Sequence, residues 1–303
     1  MNQVYDVIII GAGPAGITAA VYAARKKMDV LIVTRDIGGQ ASWSGDIQNY
    51  TGYQFISGPE LALKFEDHMR KFDFKIKENE EVTELISNNH VKLIKTNKGE
   101  YRSKTVIIAS GKRSRELGVP GEKTYKNKGL TYCATCDGPL FTGKDVAIIG
   151  GGNSALDAAL QMLKIAKKIY IIDVAEKLKG DEIMQEKLRA NKKVSLFNQY
   201  RVKEITGDVF VKAIKIEKEK KVQVLNVEGI FVEIGLMPNS DFATGLVKNK
   251  IKEIKVNQYN ATNVPGIFAA GDVTDVPEKQ IIIAAGEGAK AVLSAFHYLN
   301  TNR

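Results

Sequence analysis

Val7-Ile8-Ile9-Ile10-Gly11-Ala12-Gly13-Pro14-Ala15-Gly16 decides the fold. Four consecutive apolar β-branched residues read as a buried strand, and Ile17 to Lys27 continues with apolar residues at helical spacing. Strand, glycine turn and helix in this order make a pyrophosphate cradle. Gly11 permits the tight turn, Gly13 lets a phosphate approach the backbone, and Gly16 lets the helix pack on the strand. The start of the helix supplies amide donors and partial positive charge. A second strand, Val30 to Val33, leads to Asp36, about 20 residues past the last glycine, where a carboxylate accepts a ribose hydroxyl.

The arrangement returns at Val146-Ala147-Ile148-Ile149 and Gly150-Gly151-Gly152-Asn153-Ser154-Ala155, followed by a helix from Leu156 to about Ile165. Here Ala155 replaces the third glycine, and the next strand, Ile169 to Ile172, ends in Asp173. Either motif alone is compatible with a turn that holds nothing. Two, each with strand, helix and a distant acid, point to two dinucleotides in one chain.

Between them lie the chain's two cysteines, in Thr131-Tyr132-Cys133-Ala134-Thr135-Cys136-Asp137-Gly138. Two cysteines placed at random fall three apart roughly once in a hundred and fifty arrangements, which makes the pair a candidate site. Zinc demands three or four protein ligands, and His68, His90 and His297 are scattered singly, so no metal is expected. In a reducing compartment a C-x-x-C reads as a working redox pair. Two dinucleotides flanking such a pair imply a relay from nicotinamide through flavin to disulfide.

Composition narrows the class. A length of 303 residues suggests about two domains, with 44% apolar and 8% aromatic residues to build their cores. No apolar run approaches the ~20 residues needed to span a bilayer, and Met1 to Asp6 lacks the basic stretch that precedes a signal core; a cytoplasmic protein without membrane partners is expected. The net charge of +9 is dispersed, and Lys212 to Lys221 alternates lysine with Ile and Glu as a solvated strand face does. No basic patch carries interleaved aromatics, so no nucleic-acid partner is expected. A basic surface would speed encounter with an acidic protein.

Two further segments, Thr105 to Gly111 and Gly266 to Asp272, read as strands leaving into small-residue loops of a parallel sheet. Asp272 then lies outside the carboxyl ends of that sheet, where it either bonds cofactor hydroxyls or caps the next helix. Gln280 to Leu299 spaces small and apolar residues as a helix packed on the sheet. These segments flank the second motif, which predicts an α/β fold of two Rossmann-like dinucleotide-binding domains, the second inserted in the first. The boundaries are 1–113 plus 245–303 for the first domain and 114–244 for the second. Gly118-Val119-Pro120-Gly121 and Met237-Pro238-Asn239-Ser240 read as the linkers.

The segments Gly11 to Gly16, Gly38-Gly39-Gln40, Cys133 to Phe141, Gly150 to Ser154, Gly271-Asp272 and Lys279 to Ala289 together resemble the low-molecular-weight thioredoxin reductase family over essentially the whole chain. Within it, the chain is most similar to the flavoprotein reductase portion of alkyl hydroperoxide reductase systems. The resemblance implies FAD on Gly11, Gly13, Pro14, Ala15, Gly16, Asp36, Gly39, Gln40, Asn49, Gly111, Gly271, Asp272 and Lys279, with Val82 and Ala109 giving backbone contacts and Gln280 and Ile281 near the flavin ring. It implies a nicotinamide dinucleotide on Gly150, Gly152, Asn153, Ser154, Ala155 and Asp173. It also implies a homodimer, with rotation of the inserted domain about linkers at 114–120 and 240–245.

The same resemblance gives Cys136 the flavin side of the disulfide and Cys133 the attack on a partner's disulfide. Asp137 either moves the proton that the flavin-side thiol gains or caps the segment from Gly138. Two departures refine the expectation. The sequence has no second C-x-x-C, so the electrons are expected to leave to a separate thioredoxin or glutaredoxin-like protein. Where NADPH-dependent members carry a His-Arg-Arg cluster, this chain reads Ile172-Asp173-Val174-Ala175-Glu176; Asp173 would accept a 2′-hydroxyl and repel a 2′-phosphate, so NADH is expected over NADPH. The alternatives are a reductase feeding a peroxiredoxin, an NADH oxidase, a ferredoxin-dependent flavin reductase and a redox-sensing flavoprotein. The intact Gly150 to Ala155 turn argues against the ferredoxin-dependent form.

Overall fold

The apolar run Val7–Ile10 sits in the strand Val4–Ala12, with Val7, Ile8 and Ile9 inaccessible to solvent. The computed structural model describes residues 3–43, 46–88 and 91–301. His90 and the side chains of Trp43, Asp46, Asn88 and Cys136 lie outside the described residues. The chain divides into two units, Met1–Arg113 with Met237–Arg303, and Ser114–Leu236.

In the first unit Val4–Ala12 lies between Val30–Ile37 and Glu100–Ile108, both parallel to it, and Lys75–Lys77 extends the sheet beyond Val30–Ile37. The later half of Glu100–Ile108 pairs in parallel with Ile267–Ala269. Its earlier half pairs antiparallel with Val91–Thr96, which in turn pairs antiparallel with the edge strand Val82–Asn88. A parallel sheet covered on both faces needs continuous apolar strands, and the alternate side chains of the first strand meet different covers. Val7 and Ile9 pack with residues of the helices Pro14–Arg25 and Ile281–Thr301. Ile8 and Ile10 pack with Ala243, Leu246 and Ile254.

That second cover places the return crossing earlier than residue 245. Residues 237–244 belong to the first unit because their polar groups are satisfied there. Ser110 Oγ donates to Asn239 O at 2.7 Å, Asn239 Nδ2 donates to Ser110 O at 2.8 Å, and Leu85 N donates to Phe242 O at 3.1 Å.

The second unit holds a parallel sheet in the order Leu130–Thr131, Gly229–Val232, Asp145–Ile149, Lys168–Asp173, Val194–Asn198. It thus repeats the layout of the first sheet, with the glycine-turn strand again central. Arg201–Gly207, Val211–Lys218 and Lys221–Asn226 form an antiparallel meander. The lysine-rich stretch therefore falls on strands, with Ile214 and Ile216 buried and the lysines at its two ends exposed.

One buried carboxylate ties the start of this unit together. Glu122, 2% exposed, accepts from Leu117 N and Gly118 N at 2.7 Å each and from the Tyr132 hydroxyl at 2.8 Å. Burial, then the bond to Glu122, pushes the Tyr132 phenol well up. Glu122→Ala removes the shared acceptor of three part-buried donors at once and is expected to cost about 1–3 kcal/mol. Urea unfolding is the measurement, and Glu122→Gln, which keeps an acceptor, should lose less.

Candidate cofactor and disulfide sites

In the first unit the glycine turn is fixed by backbone contacts that exclude side chains. Gly11 adopts φ +102°, and a Cβ there would lie 2.4 Å from Ala109 O. A Cβ on Gly16 would lie 1.9 Å from Gly11 O. Gly16 is therefore required by the turn itself as well as by helix packing. Gly13 is different: nothing lies within 4 Å of its Cβ position. The helix that follows, with Pro14 in its first turn and Ala15 buried, starts without a side-chain cap. Open space over uncapped amides fits a pyrophosphate.

Thr34 holds Asp36 beside this turn. Its hydroxyl donates to Asp36 O at 2.5 Å and accepts from Ala12 N at 3.1 Å, while the Asp36 side chain stays exposed. Gly39, at φ +55°, would bring a Cβ to 3.2 Å of Gly13 Cα. Gln40 Nε2 donates to Lys112 O at 3.0 Å, and Asn49 Nδ2 donates to Gln280 Oε1 at 3.0 Å. Asn49 and Gln280, 231 residues apart in sequence, thus meet directly. Ile281 packs beside Ile47, Ile56 and Leu61. Val82 and Ala109 are buried at the strand ends, and Ala109 N donates to Ile10 O at 2.8 Å.

Gly111 and Gly271 both take positive φ, at +62° and +74°. Asp272 lies within the short turn Gly271–Val273 and makes no helix cap, so of its two expected roles the cap is removed. Burial pushes its carboxyl up while Lys112 and Lys279 pull it down. Those lysines are themselves held by Glu253, at 2.9 Å and 3.2 Å. Lys279 Nζ also donates to Thr274 O at 2.5 Å. Burial opposes ionisation of Glu253, but Lys112, Asn249 and Lys279 together keep it below its usual range.

The second unit repeats the cradle with one exchange. A Cβ on Gly150, φ +132°, would lie 2.3 Å from Glu233 O, whereas Gly152 has nothing within 4 Å. The helix Asn153–Leu163 also starts without a side-chain cap. Ala155 is fully buried at the position of the third glycine, and Ser154 is exposed. Asn153 Oδ1 accepts from Asp181 N at 2.8 Å, which fastens the 180–181 loop to the helix start. A Cβ on Gly151 would lie 1.9 Å from Asp173 Oδ2. The Asp173 carboxylate therefore lies over the glycine turn, where a ribose hydroxyl would reach it.

The disulfide turn belongs to the same unit. Cys133 is disulfide-bonded and precedes the single turn Ala134–Asp137, whose backbone includes Cys136. Cys133 N donates to Thr131 Oγ1 at 3.1 Å, and that hydroxyl donates to Asp137 Oδ2. Asp137 makes no side-chain cap for the segment Gly138–Phe141. Its carboxylate instead faces back to the strand residue that anchors Cys133.

Three positions escaped sequence reading: Glu122, Glu233 and Glu253. Glu233 carries a signal in retrospect, a charge at the end of the apolar strand Gly229–Val232. Glu122 and Glu253 sit among polar neighbours and give none. His297 is exposed on the helix Ile281–Thr301. Among the described residues no cluster of three His, Cys, Asp or Glu side chains is placed to hold a metal, and no helix is long and apolar enough to cross a membrane.

Residues 5–288 match the family model described as pyridine nucleotide-disulphide oxidoreductase, and the chain belongs to that family. It is therefore an oxidoreductase of a flavoprotein class that uses FAD and a nicotinamide dinucleotide. It is 42% identical, over 98% of its length, to an NADH dehydrogenase of Ferdinandcohnia aciditolerans. It is 41% identical, again over 98%, to an alkyl hydroperoxide reductase protein of Xanthomonas campestris pv. phaseoli. The chain spans 58% of the length of each of these curated relatives. Among solved structures, Lactococcus lactis thioredoxin reductase superposes with TM-score 0.85 at 35% identity, covering 98% of this chain and 99% of that one.

Proposed function

We propose that the chain is an NADH-dependent disulfide reductase that passes electrons through FAD and the Cys133–Cys136 pair to the disulfide of a thioredoxin or glutaredoxin-like carrier. The observation that carries this reading is the disulfide-bonded Cys133 in the same unit as a complete dinucleotide turn. The similarity to thioredoxin reductases across nearly the whole chain supports it. A homodimer in a reducing compartment belongs to the same reading.

Bound FAD supplies the conversion of a two-electron hydride donor into reducing equivalents for a disulfide. Gly11, Gly13 and Gly16 would admit its pyrophosphate, Asp36 its ribose, and Asp272 its further hydroxyls. Once the pair is reduced, the Cys133 thiolate attacks one sulfur of the carrier disulfide, forming a mixed disulfide and releasing one carrier thiolate. Cys136 then attacks Cys133 Sγ, which re-forms the internal disulfide and frees the second carrier thiol. Asp137, tied to Thr131, holds or receives the proton that Cys136 gains or loses.

A second reading, delivery to a peroxiredoxin, is favoured by the alkyl hydroperoxide reductase relatives. Anaerobic turnover with NADH and each candidate acceptor in turn separates the two. Rapid thiol production on a C-x-x-C carrier supports the first reading, and reduction of the peroxiredoxin alone overturns it.

Asp173 sets the donor in this reading. With its carboxylate over the turn, kcat/KM for NADH should exceed that for NADPH by at least about tenfold, equivalent to ~1.4 kcal/mol of repulsion. Asp173→Ala should narrow the ratio, and an NADPH preference in the unaltered protein would sink the assignment.

A further inference from the structure

Glu233 joins the two working parts of the second unit. Its backbone N donates to Ile149 O at 2.8 Å, and its carbonyl is the atom that forbids a side chain at Gly150. Its half-buried carboxylate accepts from the Ala134 backbone N–H, one residue past Cys133. The other spacer residue is tied as well: Thr135 Oγ1 donates to Gln161 Oε1 at 3.2 Å, and Gln161 Nε2 donates to Asp157 Oδ2 at 2.8 Å. Ala134 is thus anchored to the Glu233 carboxylate directly and Thr135 to that of Asp157 only through the Gln161 amide, and the two carboxylates lie close enough to repel.

We propose that Glu233 is a positioning residue for Cys133, whose charge sets the thiolate fraction of Cys133 once the disulfide is opened. The inference rests on Cys133 being the attacking cysteine of the proposed function. The carboxylate that faces Glu233 is Asp157 on the helix Asn153–Leu163, and the nearest thiol along the chain is Cys133, one residue before the Ala134 N–H that Glu233 accepts. Burial pushes the Glu233 carboxyl up to about 7, the bond from Ala134 holds it down, and Asp157 adds to the rise. Glu233 therefore changes charge in the range where a cysteine thiol also titrates. Ionised, it disfavours a neighbouring thiolate; protonated, it does not.

The sign of the effect is fixed. Below about pH 6 Glu233 is neutral, and Glu233→Gln should match the unaltered protein. Between about pH 7 and 9 only the unaltered protein carries the extra negative charge, so Glu233→Gln should hold more Cys133 thiolate. At higher pH the thiol is ionised in both and they converge.

The test reduces each protein with dithiothreitol and follows iodoacetamide alkylation of Cys133 by mass spectrometry from pH 5.5 to 10. This needs neither flavin turnover nor a carrier, so failure of the carrier assignment leaves it readable. The Gln variant should be alkylated severalfold faster near pH 8 and equally fast near pH 6. A rate ratio that is constant across pH would mean that Gln only loosens the turn and would overturn the proposal, as would superimposable profiles. Asp157→Asn, a change on an exposed side chain, should move the Glu233-dependent inflection of the otherwise unaltered protein to lower pH. An unmoved inflection there also overturns it.

Discussion

Cys133→Ser should reduce turnover with a carrier disulfide by at least about a thousandfold, the scale expected when a nucleophile is removed, while leaving reduction of the bound flavin by NADH near its normal rate. The nucleophile in disulfide exchange is a thiolate, and a serine hydroxyl does not ionise near neutral pH. The turn should survive the substitution because its anchors lie elsewhere. Thr131 holds the Cys133 backbone, Glu122 holds Tyr132, and Glu233 holds Ala134. Stopped-flow reduction of the flavin and steady-state carrier reduction, measured on one preparation, separate the two half-reactions. Carrier turnover at the normal rate would remove Cys133 from the mechanism. Loss of flavin reduction together with carrier turnover would point instead to a damaged fold.

What the sequence disclosed is what local chemistry forces. Val7–Ile10 could be only a strand covered on both faces, and Gly11 and Gly150 sit where positive φ and a neighbouring carbonyl permit nothing larger. Asp173 was legible because its distance from a glycine turn carries meaning, and its carboxylate does lie over Gly151. The return crossing was misplaced because Asn239, Ser240 and Phe242 reveal their allegiance only through bonds to Ser110, Lys252 and Leu85. Those partners are distant in sequence. The same holds for Glu122, Glu233 and Glu253, whose roles depend on which buried donors and cations meet them. Asp137 was ambiguous because a cap and a proton carrier want the same residue. The side chain's turn toward Thr131 removes the cap.

Gly16→Ala should yield a protein that retains little FAD on purification, while Ala155→Gly at the matching position of the second turn should leave flavin content unchanged. The two motifs look interchangeable in sequence, but their third positions differ in available space. At Gly16 a methyl group would lie 1.9 Å from Gly11 O, a backbone atom of the cradle itself. Relief requires the helix Pro14–Arg25 to move away from the turn, taking the amides that would face the pyrophosphate with it. Gly288 blocks that movement from the other side, because its Cα packs so closely on the same helix that a Cβ would lie 2.0 Å from Ala15 O. Overpacking of a tight core costs about 1–3 kcal/mol, and here the strain falls on the phosphate-binding geometry. In the second turn the methyl of Ala155 is already accommodated, lying 3.2 Å from the Cβ position of Gly150. Its removal should cost about 1 kcal/mol, from helix propensity. Flavin absorbance per chain, together with a thermal melt, is the measurement. A fully flavinated Gly16→Ala protein would show that the turn can open without losing its ligand, and that Gly16 serves helix packing alone.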